Sequence, residues 1–469
     1  MDGLVWKRRR FVALLCGMLT MLVCGTMYAF PLFGPQLAER RGYTQLQINV
    51  VAASGSIGLS LASPFLGHFI DQTGPRRWCI LAAVLLFFGY QGLAAIYAGQ
   101  LLTDSYLLAA FCFLLVGAGS FSGYMVTLRT NASNWPRHQQ GTAIGILLSL
   151  FALSGLVLSL LQSTLFVGSS VDRDSTHHYL VFLAIVCACG NVIASAWMQR
   201  LPIDRASVAT DMHADDHLDV NIAATEQHRE HDTTASNSAG NLTLRELLRD
   251  TSYSGLIIAG SLLNGSCQMY IANVGTIVQL LYNGSLEKQP DTPPPDSAQL
   301  QHAIGIHVAT IGATNATTRL LVGFISDYLM RSHQLNRCWL LLATAIWLIS
   351  AQLLAYSVQD PLTLVAVSAM VGVGLGSAAT LAPAITNERW GSSQFARNWG
   401  LMFWGITAVT TALGSMFGAL FDARRSLPGG CIGSQCYRNA FLITAAGCTL
   451  GMLALGTHLT FRRGTRHHA

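Results

Sequence analysis

Twelve long apolar stretches separated by short polar ones organise this chain. They fall at about 11–33, 47–70, 78–100, 105–128, 141–166 and 178–199, and then at about 253–282, 303–326, 338–357, 362–386, 399–421 and 438–460. A helix of about 20 residues crosses the hydrocarbon core of a bilayer, so each stretch predicts one span. Residues 201–250 break the pattern: they are rich in Asp, His, Asn, Thr and Ser, and include His213, His217, His228 and His231. Such a composition cannot bury a core and predicts a flexible linker. The reading is an all-α membrane protein with twelve transmembrane helices in two halves. One six-helix half covers 1–200, the linker 201–250, and the other half 251–469. The first apolar run follows Lys7, Arg8, Arg9 and Arg10. It is too long for a cleavable signal peptide and lacks a small-residue cleavage site, so it reads as a retained span.

Composition agrees. The 469 residues are 51% hydrophobic and 11% charged, with a mean hydropathy of +0.42; a soluble protein carries about a quarter charged residues. The net charge of +5 does not point to nucleic acid, because the basic residues cluster at the ends of apolar runs. With twelve spans, 20 Lys and Arg fall on one side and 7 on the other, and Arg319 is left inside a span. The positive-inside rule then puts both termini and the linker in the cytosol. Nine of the eleven cysteines lie in or beside apolar runs and read as small packing residues. Cys431 and Cys436 share a polar loop on the outer side, close enough to bridge in an oxidising compartment. Of the glycosylation sequons, that at Asn283 alone faces outward.

The halves repeat. Gly67 and Asp71 match Gly323 and Asp327 at a shift of 256, while Gly117, Gly119 and Trp135 match Gly372, Gly374 and Trp390 at a shift of 255. Two six-helix halves related by an axis along the membrane normal are the plan of the major facilitator superfamily. The loop after the second span carries Gly67, Asp71, Gly74, Pro75, Arg76 and Arg77 in a spacing that resembles that family's signature. Gly67 permits close helix approach, Asp71 offers acceptors to a helix N-terminus or an Arg, Gly74-Pro75 makes a tight turn, and the basic pair meets headgroups. The resemblance implies that this loop latches the cytosolic gate. The second copy, around Gly323 and Asp327, lacks the later Gly and the tight basic pair, so a weaker role is expected.

A narrower resemblance rests on Tyr28-Ala-Phe-Pro-Leu-Phe, on Gly42 to Asn49, on Asn134-Trp135-Pro136 leading to Gly141, Gly145 and Gly155, and on Phe395 to Gly400. These stretches resemble nodulin-like transporters of plants and their fungal relatives, the monocarboxylate-transporter homologues. The resemblance implies a vacuolar membrane, with the plasma membrane as the alternative.

Polar residues inside spans need partners or a water-filled cavity. In the implied fold spans 1, 4, 7 and 10 line the centre, and span 7 is the most polar of them. Gln268 and Asn273 are expected to face the pathway, with helix-to-helix hydrogen bonding as the other reading, and Gly265 and Gly275 permit local unwinding. Tyr28 and Tyr124 are further candidates, with interfacial anchoring or packing as the alternative. Arg319 is the one basic residue deep in a span. It resembles the Arg with which monocarboxylate carriers engage a substrate carboxylate, although Asn315 stands where those carriers have an Asp, and an amide exchanges no proton near neutral pH. The other reading is an Arg bonded to neighbouring helix carbonyls. Glu388 and Arg389 read as a surface pair.

The expected function is transport of a small polar or anionic solute, a carboxylate being one candidate, by alternating access and as a monomer in a lipid bilayer. The rival is a receptor that binds solute and signals through the linker without moving it. No enzyme, cofactor, metal site or nucleic-acid partner is expected: the chain has no nucleophile elbow, phosphate-binding loop or ligand cluster.

Overall fold

The computed structural model describes residues 2–100, 105–135, 137–166, 175–199, 244–288, 297–333, 335–390, 395–426, 431 and 433–466. Side chains of 2–7, 62–73, 132, 137–142, 244, 283–288, 297, 331, 387, 395–397 and 457–466 lie outside that description. So do most of the predicted linker, its four histidines, and the side chains of Gly67 and Asp71. The long helices are α1 (Asp2–Cys24), α2 (Gln45–Thr73), α3 (Pro75–Ala98), α4 (Tyr106–Asn134), α5 (Arg137–Leu165) and α6 (Ser175–Trp197). They are followed by α7 (Thr251–Lys288), α8 (Ser297–His333), α9 (Arg337–Ser357), α10 (Pro361–Trp390), α11 (Phe395–Arg425) and α12 (Arg438–Arg466). Among the described residues eleven of these are long and apolar enough to cross a membrane, and α2, the twelfth, is 29 residues long. The end of the bundle where α1 begins is called the near end here, and the opposite one the far end.

The sequence sets several helix starts directly. Thr44 and Gln47 form a capping box at α2: the Thr44 N–H donates to Gln47 Oε1 at 2.9 Å, and the Gln47 N–H to Thr44 Oγ1. Ser105 caps α4 and Asn336 caps α9. Between α2 and α3, Gly74 takes φ 78° and ψ 163°. L-residues rarely adopt that backbone, and Pro75 then starts α3 at the position that needs no N–H.

Helix pairing repeats at a shift of six. In the first half α2 packs on α4, α3 on α4 and α6, and α1 on α4, α5 and α6; in the second, α8 packs on α10, α9 on α10 and α12, and α7 on α10, α11 and α12. The matched glycines explain why the register is kept. A Cβ on Gly117 of α4 would run into the Gly55 carbonyl of α2, and one on Gly372 of α10 into Thr314 and the Ile311 carbonyl of α8. The matched tryptophans do the same job in each half: Trp135 meets Phe11 edge-on at 5.7 Å, and Trp390 meets Tyr253 edge-on at 5.1 Å. Large exposed apolar side chains stud the outer faces of the bundle, among them Phe88 on α3, Ile193 on α6, Phe324 on α8, Ile346 on α9 and Leu450 on α12. That is the surface lipid covers.

Two expectations are corrected. Span 7 does not unwind, because α7 runs unbroken over 38 residues. The break comes in span 1, which tightens into a 3₁₀ helix over Gly25–Leu32. Pro31 lies inside that turn, and Ser154 Oγ donates to the Gly25 carbonyl at 2.8 Å, satisfying backbone that a regular helix would have used. The linker also ends earlier than 250. Leu244–Arg249 is a short helix with Leu247 buried, and Asp250 accepts from the Ser252 N–H and from Trp390 Nε1.

Candidate functional site

The halves meet along two seams, α5 against α8 and α2 against α11, which exchange under the same shift of six. Small residues let the α5–α8 seam close: a Cβ on Gly312 would lie 2.6 Å from the Leu156 nitrogen. At mid-height of the α2–α11 seam Ser60 Oγ bonds Thr407 Oγ1, and Thr407 donates to the Ser56 carbonyl at 3.4 Å.

Arg319 stands at the α5–α8 seam, half-buried. Its Nε donates to Asn315 Oδ1 at 3.0 Å, one turn back on the same helix, and one terminal nitrogen reaches the Leu148 carbonyl of α5 at 3.5 Å. Both predicted neighbours of this Arg are therefore placed, the amide and a helix carbonyl. Among the described residues no carboxylate pairs with it, so the charge is held by neutral oxygens. A central Arg costs roughly 2.5 to 3.5 kcal/mol on insertion scales, and an anion would offset that. Asn315 is fully buried, and its Nδ2 has no hydrogen-bond partner among the described residues. Guanidinium and amide thus offer donors that the protein does not consume.

Aromatic rings of the first half cluster beside this seam. Phe151 of α5 lies between Tyr28 and Tyr124, with centroids 5.9 and 5.1 Å away, and Phe121 follows Tyr124 at 6.1 Å and meets Phe403 of α11 across the halves at 6.2 Å. Tyr124 lies within electrostatic reach of both Arg319 and Tyr28. Arg319 and Asn315 are thereby in direct contact, and Tyr28 and Tyr124 share the neighbouring ring of Phe151. Tyr28 also closes, with Ile271, Val308, Ile311 and Gly312, a gap too narrow for water.

The two span-7 candidates separate. Gln268 is half-buried, on the same α7 face as Ala272 and Thr276. Asn273 is fully buried and accepts from Gln45 Nε2 of α2 at 2.7 Å. It belongs to a seal across the far end that sequence reasoning missed. There Asp422 of α11 accepts the N–H groups of Gln45 and Leu46 at 3.0 and 2.9 Å, Thr276 donates to Gln45 Oε1, and Gln162 of α5 donates to Gln301 of α8. A carboxylate at a helix N-terminus meets the positive end of the dipole and the free N–H groups together. The one signal in the sequence was polar residues at the ends of spans facing no apolar neighbour.

At the near end, Arg76 and Arg77 are exposed. Asp327 pairs with Arg337 at 2.6 Å, and Arg337 lies 3.6 Å from Glu388. The second motif copy thus recovers a basic partner ten residues on, at the start of α9. Glu388 and Arg389 do not pair: adjacent helical residues point apart, and Arg389 donates to Cys338 Sγ instead. Cys431 and Cys436 are bridged, with Cα atoms 5.3 Å apart.

Comparison with known proteins places this architecture. The chain matches the family described as Major Facilitator Superfamily over residues 13–331, and the description "NFD4, C-terminal domain" over residues 304–466. It is 24% identical over 422 residues to a "Probable transporter MCH1" of Wickerhamomyces anomalus, covering 89% of this chain and 81% of that protein. It is 26% identical to a "Probable transporter mch1" of Aspergillus fumigatus, covering 96% and 86%. Among solved structures, the nucleoside transporter NupG is similar with a TM-score of 0.62 at 15% identity, over 96% of this chain and 98% of that one.

Proposed function

Because the chain belongs to the major facilitator superfamily and is a secondary transporter, we propose that it carries a small polar or anionic solute bound between its halves at Arg319. The observation that carries this reading is the seam-centred guanidinium held by Asn315 and the Leu148 carbonyl, with no carboxylate partner among the described residues. A small carboxylate fits its planar, two-toothed donor geometry. Asn315 and Tyr124 are assigned to the same site, and Gln268 to the α7 wall of the pathway. Transport is by alternating access, the halves 1–200 and 251–469 rocking about the two seams. The arrangement described here has its far end sealed.

The charge bias of 20 against 7 supports cytosolic termini, so the far end faces away from the cytosol. The resemblance to fungal monocarboxylate-transporter homologues supports the vacuolar membrane, and the symmetric closure of the two halves on each other supports a monomer. Reconstitution in sealed vesicles with lactate, pyruvate, succinate and neutral glycerol tests the reading. Accumulation of a carboxylate above protein-free vesicles supports it. Binding without accumulation would favour a solute receptor.

A further inference from the structure

His307 is a titratable side chain that solute binding does not use. It lies on α8, eight residues or about 12 Å of helix from Asn315 toward the far end, and only 2% of it is exposed. Its Nδ1 is 2.8 Å from Ser368 Oγ of α10, and that hydroxyl is 2.7 Å from the Tyr270 hydroxyl of α7. Ser368 and Tyr270 are fully buried. One chain of three groups therefore ties three helices of the second half. Either oxygen can donate or accept, and the imidazole alone gains a proton near neutral pH.

The surroundings offer this ring no counter-charge. At its depth α5 and α10 contribute no titratable side chain. Tyr270 of α7 stands near Tyr437, the residue before α12, and Cys267 of α7 near Cys448 of α12. Tyr356 of α9 lies under the Arg438 guanidinium at 5.7 Å. Span 1 contributes Tyr28, across the dry gap from Val308. On α8 itself, His302 is exposed farther out and Arg319 lies three turns inward. Among the described residues no carboxylate acts on His307, so an imidazolium there would be a buried, unpaired charge.

In the tautomer whose neutral ring carries its proton on Nε2, protonation also reverses the chain. With a neutral ring accepting at Nδ1, Ser368 donates to His307 and Tyr270 donates to Ser368. A proton on Nδ1 makes that nitrogen a donor. Ser368 then accepts from His307 and donates to the Tyr270 oxygen, and the Tyr270 proton must find another acceptor. One proton is taken up and nothing else is consumed. The next residue, Val308, faces Gly155 of α5 across the seam, so a change at His307 reaches the contact between halves.

We infer that His307 is a proton-binding site of this transporter, and that the proton disfavours the far-end-closed arrangement in favour of one where the imidazolium meets water. The inference rests on the transport reading and adds a coupling ion to it, in place of the carboxylic acid that Asn315 cannot supply.

The test needs no solute. Spin labels at Leu107 and Leu362, which are 60% and 83% exposed at the far-end starts of α4 and α10, report far-end opening in the full chain in lipid nanodiscs, with Cys16 and Cys189 changed to Ser. Between about pH 8 and pH 5, the span over which an imidazole titrates, the open population of the otherwise native chain should rise about fivefold or more. His307→Asn and His307→Gln should flatten that response. Ser368→Ala and Tyr270→Phe should each move its midpoint by about half a pH unit or more, and carry the test if the His307 variants do not fold; unchanged midpoints in both would overturn the inference. Native-like pH dependence in both His307 variants would also overturn it. Two distance populations in a pH-independent ratio would overturn it while leaving alternating access intact, and one distance at every pH would overturn both.

Discussion

Asp422, in the last turn of α11, accepts the backbone N–H of Gln45 in the first turn of α2 at 3.0 Å, its second oxygen taking the next N–H at 2.9 Å. A carboxylate of one half thus caps a helix of the other, and that contact adds to the Gln45–Asn273 and Gln162–Gln301 bonds that hold the far end shut. Charge-assisted hydrogen bonds contribute about 1.5 to 3 kcal/mol. Asp422→Asn removes the charge and sets an amide NH₂ against one of the two N–H donors. The open-to-closed ratio at the far end should rise roughly tenfold, the equivalent of about 1.4 kcal/mol. The Leu107–Leu362 distance distribution at neutral pH reads it, and an unchanged ratio would show the cap to be incidental.

The matched glycines make an asymmetric prediction. Gly117→Ala drives a methyl into a backbone carbonyl of α2, which cannot move away. Gly372→Ala meets first a Thr314 hydroxyl, which can rotate, and behind it the Ile311 carbonyl at 2.8 Å. Overpacking costs about 1 to 3 kcal/mol. The first variant should melt at the lower temperature in the same detergent.

Much of this architecture was legible in the chain. Twelve apolar runs, the repeat register and the Gly74 turn follow from periodicity and from backbone that only glycine tolerates, and all three are local signals. The far-end seal was not legible, because Gln45 and Asp422 are 377 positions apart and a lone polar residue at a span end looks like any interfacial one. Span 1 hid its 3₁₀ turn for a related reason. Pro31 announced a disturbance, but Ser154, which satisfies the freed carbonyl, sits 129 residues away. Asn273 shows the same limit: its polarity was visible, but whether it faced solute or Gln45 depended on another helix.

Topology gives a direct prediction. After reduction, Cys431, the more exposed of the bridged pair, should react with an impermeant thiol reagent from the side opposite to both termini. Labelling of reduced Cys431 from the cytosol would contradict the twelve-span arrangement.

The two motif copies should differ in weight. Asp327 is exposed, with 53% of its side chain open, and its pair with Arg337 contributes on the order of 0 to 1 kcal/mol once screened by solvent. Asp327→Asn should therefore change melting and turnover little. Asp71→Asn should slow transport far more than it weakens solute binding, by shifting the population of states without touching the site. Equal turnover in both variants at equal abundance would show the first copy to be no more important than the second.

The site at Arg319 is the centre of the account, and affinity measured beside the melting temperature of the solute-free protein tests it most directly. The ligand is whichever of lactate, pyruvate or succinate accumulates in vesicles, and the proteins are the native chain, Arg319→Gln and Arg319→Lys. With an anionic solute on the guanidinium, Gln should weaken binding by roughly 2 to 5 kcal/mol, as for truncating one partner of a buried charge pair. Lys should recover part of that, since an ammonium cannot make the planar two-toothed contact, and all three proteins should melt within a few degrees of one another. Native affinity in the Gln variant together with a lowered melting temperature would contradict the account, leaving Arg319 as a pin between α8 and the Leu148 carbonyl of α5.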